Sequence, residues 1–593
     1  MRPPAVDLAL DRLRQQRTDE AALLLEGALS EARQHPEIWH WLGVVRWRQG
    51  KLAEARQLMV RALHAQPDNA TFLVNTGALL LADGEAAAAA GHLRHALTIQ
   101  PNLPSAHNNL ANALRALREI DEAGHHYEAA LQAQPDLPEA HNNLANIRKE
   151  QGNLADALHH YRQALAIRPT FREAFSNLLA LTKLLDTVSP EESLALHRQF
   201  AERFETPLLS QWAAPPVCPV AGRKIRIGYV SPDCHPAASF FLRPVWPHHD
   251  REQFEVFAYF DGSPTAAFPP EMLEGVTHRV LTGLPDAEAA ATIRRDAIDI
   301  LIDVAGHAGN SRILVFARKP AAVQITWLDY LGTTGLRAID FRLTDRRADP
   351  PGAARLHSEE LLYFPDGYCQ WCYPEALAAP PVAPGAAVRN GHVTFGSFNN
   401  PIKLAPATLA LWSRVLDAMP GARLRCFGVD SGAARDTLQR HFENHGQGAR
   451  LELVPKLPYA EFLAACREVD IALDPLLFSG ATTTCDVLWM GVPVVTWPGD
   501  VDTAPSASRS TASILACLGL DRLAATSADE YVAITRELAS DIGELVRLRG
   551  ALRETMRCSP LMDAVGFTRA LEGLFREALR KRCEKPAAPP ADN

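Results

Sequence analysis

Cysteine is absent from the first 217 residues of this 593-residue chain, and the ten cysteines that follow keep no framework spacing. Reduced thiols in a cytosolic setting are therefore expected, not a disulfide scaffold. Cys369 and Cys372, in "CQWC", have the separation of a zinc or redox pair. Zinc needs two further ligands and none stands near in sequence, so this pair reads as packing beside aromatic residues. Long apolar runs are missing too: nowhere do eighteen apolar residues follow one another, the length a membrane helix needs. The opening "MRPPAVDLALDRLRQQRTDEAALLLEGAL" carries a charge every few residues, where a secretory leader needs an unbroken apolar stretch. A soluble cytoplasmic protein is the expectation. No basic block stands out, and Lys plus Arg 60 against Asp plus Glu 69 leaves a net charge of −9. That balance argues against nucleic-acid and membrane-surface partners.

A repeat fills the first third. Pro67, Pro101, Pro135 and Pro169 recur every 34 residues, and Ala62-Leu63, Ala96-Leu97, Ala130-Leu131 and Ala164-Leu165 keep the same step. A 34-residue period with small residues at fixed offsets is the signature of tetratricopeptide helix pairs, which stack into an α-solenoid with a concave face. Asn75, Asn109, Asn143 and Asn177 follow the same step. Each carries donors and an acceptor without charge, so a ladder of them suits the backbone of an extended acceptor peptide. Bonds to neighbouring helices within the array are the alternative, and both stay open.

After the array, assigned to residues 1–183, a linker helix over 184–222 opens at Ser189-Pro190-Glu191-Glu192 and ends before Pro215 and Pro216. The period then changes. Short apolar runs such as "KIRIGYVS", "IDILIDVAG" and "AVQITWL" alternate with helix-length segments, and a second series follows a Pro- and Ala-rich gap: "HVTFGSF", "RLRCFG", "VDIALD", "VPVVTW". Strands alternating with helices predict parallel sheets with right-handed crossovers. Two Rossmann-like lobes are expected, over 223–385 and 386–582, with a disordered tail over 583–593.

Two stretches of the second lobe point to phosphate. In "FSGATTTCDVLWM", Gly480 permits a tight turn and Thr482, Thr483 and Thr484 fall on the first turn of a helix. Free amides and the positive end of the helix dipole favour an anion there. Asp486 is placed to accept ribose hydroxyls. A threonine N-cap is the plainer reading. In "FGSFNNPIKLAP", a strand ends at Asn399 and Asn400, and Lys403 follows, where an ammonium group could offset charge on a departing diphosphate without a metal. A merely solvated lysine is the alternative. Asp500-Val501-Asp502 has the look of a metal-binding acidic pair but sits in a polar loop, so it reads as a solvated turn.

With the repeats, the segments "IRIGYVSPD", "WLDYLGTTG", "TFGSFNNPIKL" and "GATTTCDVLWMGVPVVTWPG" resemble the bacterial relatives of the protein O-GlcNAc transferases. The resemblance implies a GT-B glycosyltransferase, inverting and metal-independent, that moves a sugar from a UDP-sugar to Ser or Thr hydroxyls of proteins, with UDP-GlcNAc as substrate and no cofactor. It puts Lys403 at the diphosphate, Thr482, Thr483 and Asp486 at the nucleotide, and the loop Leu331, Gly332, Thr333, Thr334 and Gly335 at the sugar. It turns the four ladder asparagines toward acceptor protein.

Departures from the family pattern face the donor. The loop after Asp233 is shortened, which leaves His235 as candidate general base, Ser239 where a second histidine is usual, and His307 in reserve. The family's "WLGYPG" reads "WLDYLG", with Asp329 and Leu331 altered. Its uracil-stacking histidine falls on Phe462, which stacks but cannot hydrogen-bond through its ring. A repeat scaffold with a decayed transferase half, and a transferase using another donor such as GDP-fucose, remain the alternatives.

Overall fold

The computed structural model describes residues 3–31, 34–212, 222–231, 240–261, 270–309, 311–375 and 379–584. The chain forms two compact units, Met1–Phe171 and Arg172–Asn593.

Among the described residues, the first unit holds ten helices in five successive pairs, from Pro4–Arg14 to Leu154–Ile167. The repeated alanines Ala62, Ala96, Ala130 and Ala164 are fully buried. Partner helices come close enough that a methyl group at Gly77 would meet Leu93 Cγ at 2.7 Å. Tyr127 and Tyr161, one period apart, are buried and donate their hydroxyls to Asn112 and Asn146 Oδ1, each at 2.6 Å. These are the repeat contacts that a 34-residue period implies.

In the second unit, helix Arg172–Thr182 lies beside helix Pro190–Phe204, with Phe175 meeting Phe200 edge-on at 5.5 Å. The latter helix begins with a capping box between Ser189 and Glu192, as its sequence predicts. The division between units thus falls one helix before the array's expected end at residue 183.

Two parallel sheets follow. The first contains β1 (Ile225–Ser231), β2 (Phe254–Phe260), β3 (Val276–Val280), β4 (Ile300–Asp303), β5 (Val323–Thr326), β6 (Phe341–Thr344) and β7 (Glu360–Tyr363), in the order β3-β2-β1-β4-β5-β6-β7. The second contains β8 (Thr394–Ser397), β9 (Arg423–Phe427), β10 (Leu451–Val454), β11 (Ile471–Leu473) and β12 (Val494–Val495), in the order β10-β9-β8-β11-β12. β4, β5 and β8 are buried along their whole length, which explains why they read as unbroken apolar runs and not as alternations.

Side chains bridge the sheets: Ser513 donates to Asp345 Oδ2 at 2.7 Å, Ser506 to Asp349 Oδ1 at 2.6 Å, and the Arg509 guanidinium to the Ala348 carbonyl at 2.7 Å. The last helix, Ala564–Glu584, assigned from sequence to the second lobe, lies against β5 and β7 of the first sheet. Its buried Glu572 accepts from His249 Nδ1 at 3.0 Å and from the Asp250 amide at 2.8 Å.

Among the described residues seven cysteines are free and Cys583 is disulfide-bonded, which corrects the expectation of thiols throughout. Among the described residues, no helix is long and apolar enough to cross a membrane.

Candidate active site

In the second sheet the chain order reverses between β8 and β11, which are paired neighbours. Loops leaving the carboxyl ends of two such strands run to opposite sides and open a crevice. The loop after β8 carries Asn399 and Lys403; the loop after β11 runs from Asp474 to the helix Thr482–Trp489. Lys403 closes a short 3₁₀ turn and reaches back across the crevice. Its Nζ donates to the Ser479 carbonyl at 3.1 Å and to Asn399 Oδ1 at 3.3 Å, and lies 4.3 Å from the centre of the Phe478 ring. Burial lowers its pKa to about 8, with Asp474 and Asp329 opposing the fall. Asp474 accepts from the Gly480 amide at 2.9 Å and from Thr496 Oγ1 at 2.7 Å, so the turn after β11 is held from below.

The three threonines divide. Thr484 is buried and its hydroxyl is 2.9 Å from that of Thr511, which donates in turn to the Gly480 carbonyl at 3.1 Å. A side chain at Gly480 would collide with the Thr484 hydroxyl, so glycine is required there. Thr482 and Thr483 line an open cavity of about 250 Å³. The helix N-cap is Ala481, and no side chain caps it. A threonine cap is therefore ruled out, and the uncapped start of the helix, Ala481 to Thr483, lines the same space as Lys403.

The opposite wall comes from the first sheet: Leu328, Asp329 and Leu331 from the loop after β5, with Phe241 and Trp371. Leu328 has φ +75, a left-handed conformation costly for a bulky side chain. Tyr330 turns the other way. Its hydroxyl is 2.6 Å from His197 Nε2, its carbonyl accepts from Arg342 at 3.1 Å, and Lys183 Nζ sits 2.8 Å from its ring centre. Tyr330 is thus pinned on both sides, and residues 328, 329 and 331 are left facing the cavity.

Lys403, Thr482 and Thr483 are brought together on this cavity, with Asn399 beside the lysine. Several expected site residues are engaged elsewhere. Thr333 donates to Glu359 Oε2 at 2.7 Å, and Thr334 gives Glu359 both its hydroxyl and, at 2.7 Å, its amide. This buried carboxylate turns the expected sugar-binding loop inward, while Gly332 follows at φ +120 beside Lys183.

Asp486 lies one turn into its helix, buried, and accepts from Tyr373 at 2.8 Å and Tyr459 at 2.9 Å. Burial raises its pKa to about 6. Asn400 caps the 3₁₀ turn through the Ile402 amide at 3.1 Å. Phe462 is half-buried against Phe398, edge-on at 5.5 Å, and stacks on Tyr459. His307 is buried under helix Pro190–Phe204, donating from Nε2 to the Thr334 carbonyl at 2.7 Å, with its pKa lowered to about 3 by burial. His307 is not among the residues that line the cavity above. His235 and Ser239 lie outside the described residues. Asp502 is paired with Arg355.

In the array, Asn75 bonds His40 Nε2 at 2.9 Å, Asn109 accepts from Asn108 at 3.4 Å, and Asn143 donates to Asn112 Oδ1 at 3.1 Å. All three are half-buried, so part of their bonding capacity is engaged within the array; Asn177 falls in the second unit. Phe241, Leu328, Trp371, Phe478, Ser479 and Ala481 escaped the sequence reading. Only the position of Phe478 and Ser479 directly before Gly480 could have signalled them.

The Glycosyl transferase family 41 profile matches residues 210–371 and 386–571, and tetratricopeptide profiles match 12–72, 46–104 and 102–170. The probable UDP-N-acetylglucosamine--peptide N-acetylglucosaminyltransferase SPINDLY of Hordeum vulgare is 36% identical over 410 residues, 68% of this chain and 43% of its own. Its counterpart from Solanum lycopersicum is 37% identical over 398 residues, 65% of this chain and 42% of its own. The chain thus spans less than half the length of these curated relatives. A solved lysine-to-methionine mutant of Thermobaculum terrenum O-GlcNAc transferase is 33% identical with a TM-score of 0.78, covering 87% of this chain and 98% of that one.

Proposed function

This chain belongs to glycosyl transferase family 41, and on that premise we propose that it is a protein O-glycosyltransferase. In this reading it is inverting and metal-independent, and it moves GlcNAc from UDP-GlcNAc to Ser or Thr hydroxyls of cytoplasmic proteins bound along the repeat array. The observation that carries the proposal is the convergence of Lys403 with the uncapped helix start and the Thr482 and Thr483 hydroxyls on one cavity. A diphosphate seated there meets amide hydrogens, hydroxyls and one ammonium group. These supply the positive potential that a leaving nucleotide needs, in the place where other transferases use a divalent ion. The likeness to the Thermobaculum terrenum chain over 87% of this one supports reading this as a bacterial member.

The test uses the full chain. UDP at 100 times its dissociation constant should add about 2.7 kcal/mol to stability. Transfer of labelled GlcNAc should persist in chelator, and Lys403→Met should lower it by roughly 10²–10³-fold while melting no lower than wild type. Indifference to every nucleotide sugar defeats the reading. A different donor is the second reading, favoured by Asp329 and Leu331 on the cavity wall and by Thr333 turned away from it; competition between UDP-GlcNAc and GDP-fucose separates the two.

A further inference from the structure

The proposed transfer inverts the anomeric carbon, so the acceptor hydroxyl must attack from the face opposite the leaving diphosphate. Its proton must then be taken on the wall across from Lys403 and Thr482. That wall is the loop after β5. Among the described residues that line the cavity, Asp329 is the one carboxylate. Its placement is built into the backbone: Leu328, at φ +75, forces the turn, and Tyr330 is fixed between Arg342, His197 and Lys183. A methyl group at Gly306 would strike the Tyr330 ring, so no slack exists behind the loop. Strain that aims a side chain into a cavity, on a support that cannot relax, is the arrangement of a preorganised reacting group. The carboxylate is also felt across the space, where its negative charge favours the protonated form of Lys403.

Resting on the transferase reading, we infer that Asp329 is the general base of the transfer. The acceptor O–H bond breaks, and its proton passes to an Asp329 carboxylate oxygen. The hydroxyl oxygen bonds the anomeric carbon. The bond from that carbon to the diphosphate breaks, and its electron pair leaves on the diphosphate beside Lys403 and the helix start.

The test compares wild type, Asp329→Asn and Asp329→Ala, with turnover read as UDP release from UDP-GlcNAc in the presence of a Ser/Thr-rich peptide. GDP-fucose replaces the donor if the wild type prefers it. Both variants should lose about 10²–10⁴-fold in kcat while keeping the nucleotide-induced rise in melting temperature. Added formate should restore Asp329→Ala by about tenfold or more and leave Asp329→Asn unchanged, because only the alanine leaves room for a replacement carboxylate. If Asp329→Ala does not fold, the kcat of the isosteric asparagine variant decides alone. A kcat held within about tenfold, a loss confined to donor KM, or a folded alanine variant deaf to formate overturns the assignment; the second outcome would make Asp329 a ligand of a sugar hydroxyl. A wild type that binds UDP but transfers nothing removes the transferase reading and this inference together, whereas an active wild type with an equally active asparagine variant removes only the inference.

Discussion

The chain contains two threonine runs beside glycine, Gly480-Ala481-Thr482-Thr483-Thr484 and Gly332-Thr333-Thr334-Gly335, and both follow a strand of a parallel sheet. In the first, two hydroxyls line the cavity beside Lys403; in the second, both hydroxyls and an amide go to Glu359. The residue types are the same. What differs is a buried acceptor within reach: Glu359 claims one run, while in the other, among the described residues, Thr511 partners the third member. A polar motif announces a ligand site only where the fold leaves its groups unclaimed.

The contrast can be broken at its cause. Glu359→Ala leaves two hydroxyls and an amide unpaired in the interior and should cost about 4 kcal/mol in urea unfolding, the largest effect expected here. Thr333→Val should cost about 2 kcal/mol of stability and leave UDP affinity within about twofold, because its hydroxyl faces Glu359 and not the cavity.

The charge on the other run sharpens the comparison through pH. With its pKa near 8, Lys403 loses its proton as pH rises. UDP affinity measured by calorimetry should be flat below about pH 8 and then fall by up to about 1.4 kcal/mol per pH unit. Folding stability moves the other way. Between about pH 8 and 10.5 the unfolded chain keeps this proton and the native chain does not, so the lysine's contribution rises with pH. Thr482→Val should be the mildest, weakening UDP by about 1 kcal/mol with no change in melting temperature.

How much of this could be read in the sequence follows from the range of each interaction. The repeat was legible because Pro67 to Pro169 and the buried alanines restate one packing rule four times. That Lys403 and Thr482 meet on one cavity was legible because both stand in loops after strands that end at a switch point, so local order fixes their place. The inward turn of the loop 332–335 was not, since the partner that holds Thr333 stands 26 residues away. Asp486 fared the same way: the tyrosines on it stand 113 and 27 residues off. Trp371 illustrates the rest. It sits between Cys369 and Cys372, whose spacing drew attention to sulfur, while the indole between them reaches the cavity.

The return of helix Ala564–Glu584 to the first sheet sets an order of assembly. His249 and the amide of Asp250 are made more than three hundred residues before the glutamate that satisfies them. At about 5–20 residues per second, a ribosome emits that intervening chain over tens of seconds. From the completion of β7 at Tyr363 until then, the first sheet has all its strands but lacks its outer covering. A fragment ending before residue 564 would keep that condition permanently, and chaperone dependence or aggregation of the nascent first lobe follows from placing a structural keystone after the whole second sheet.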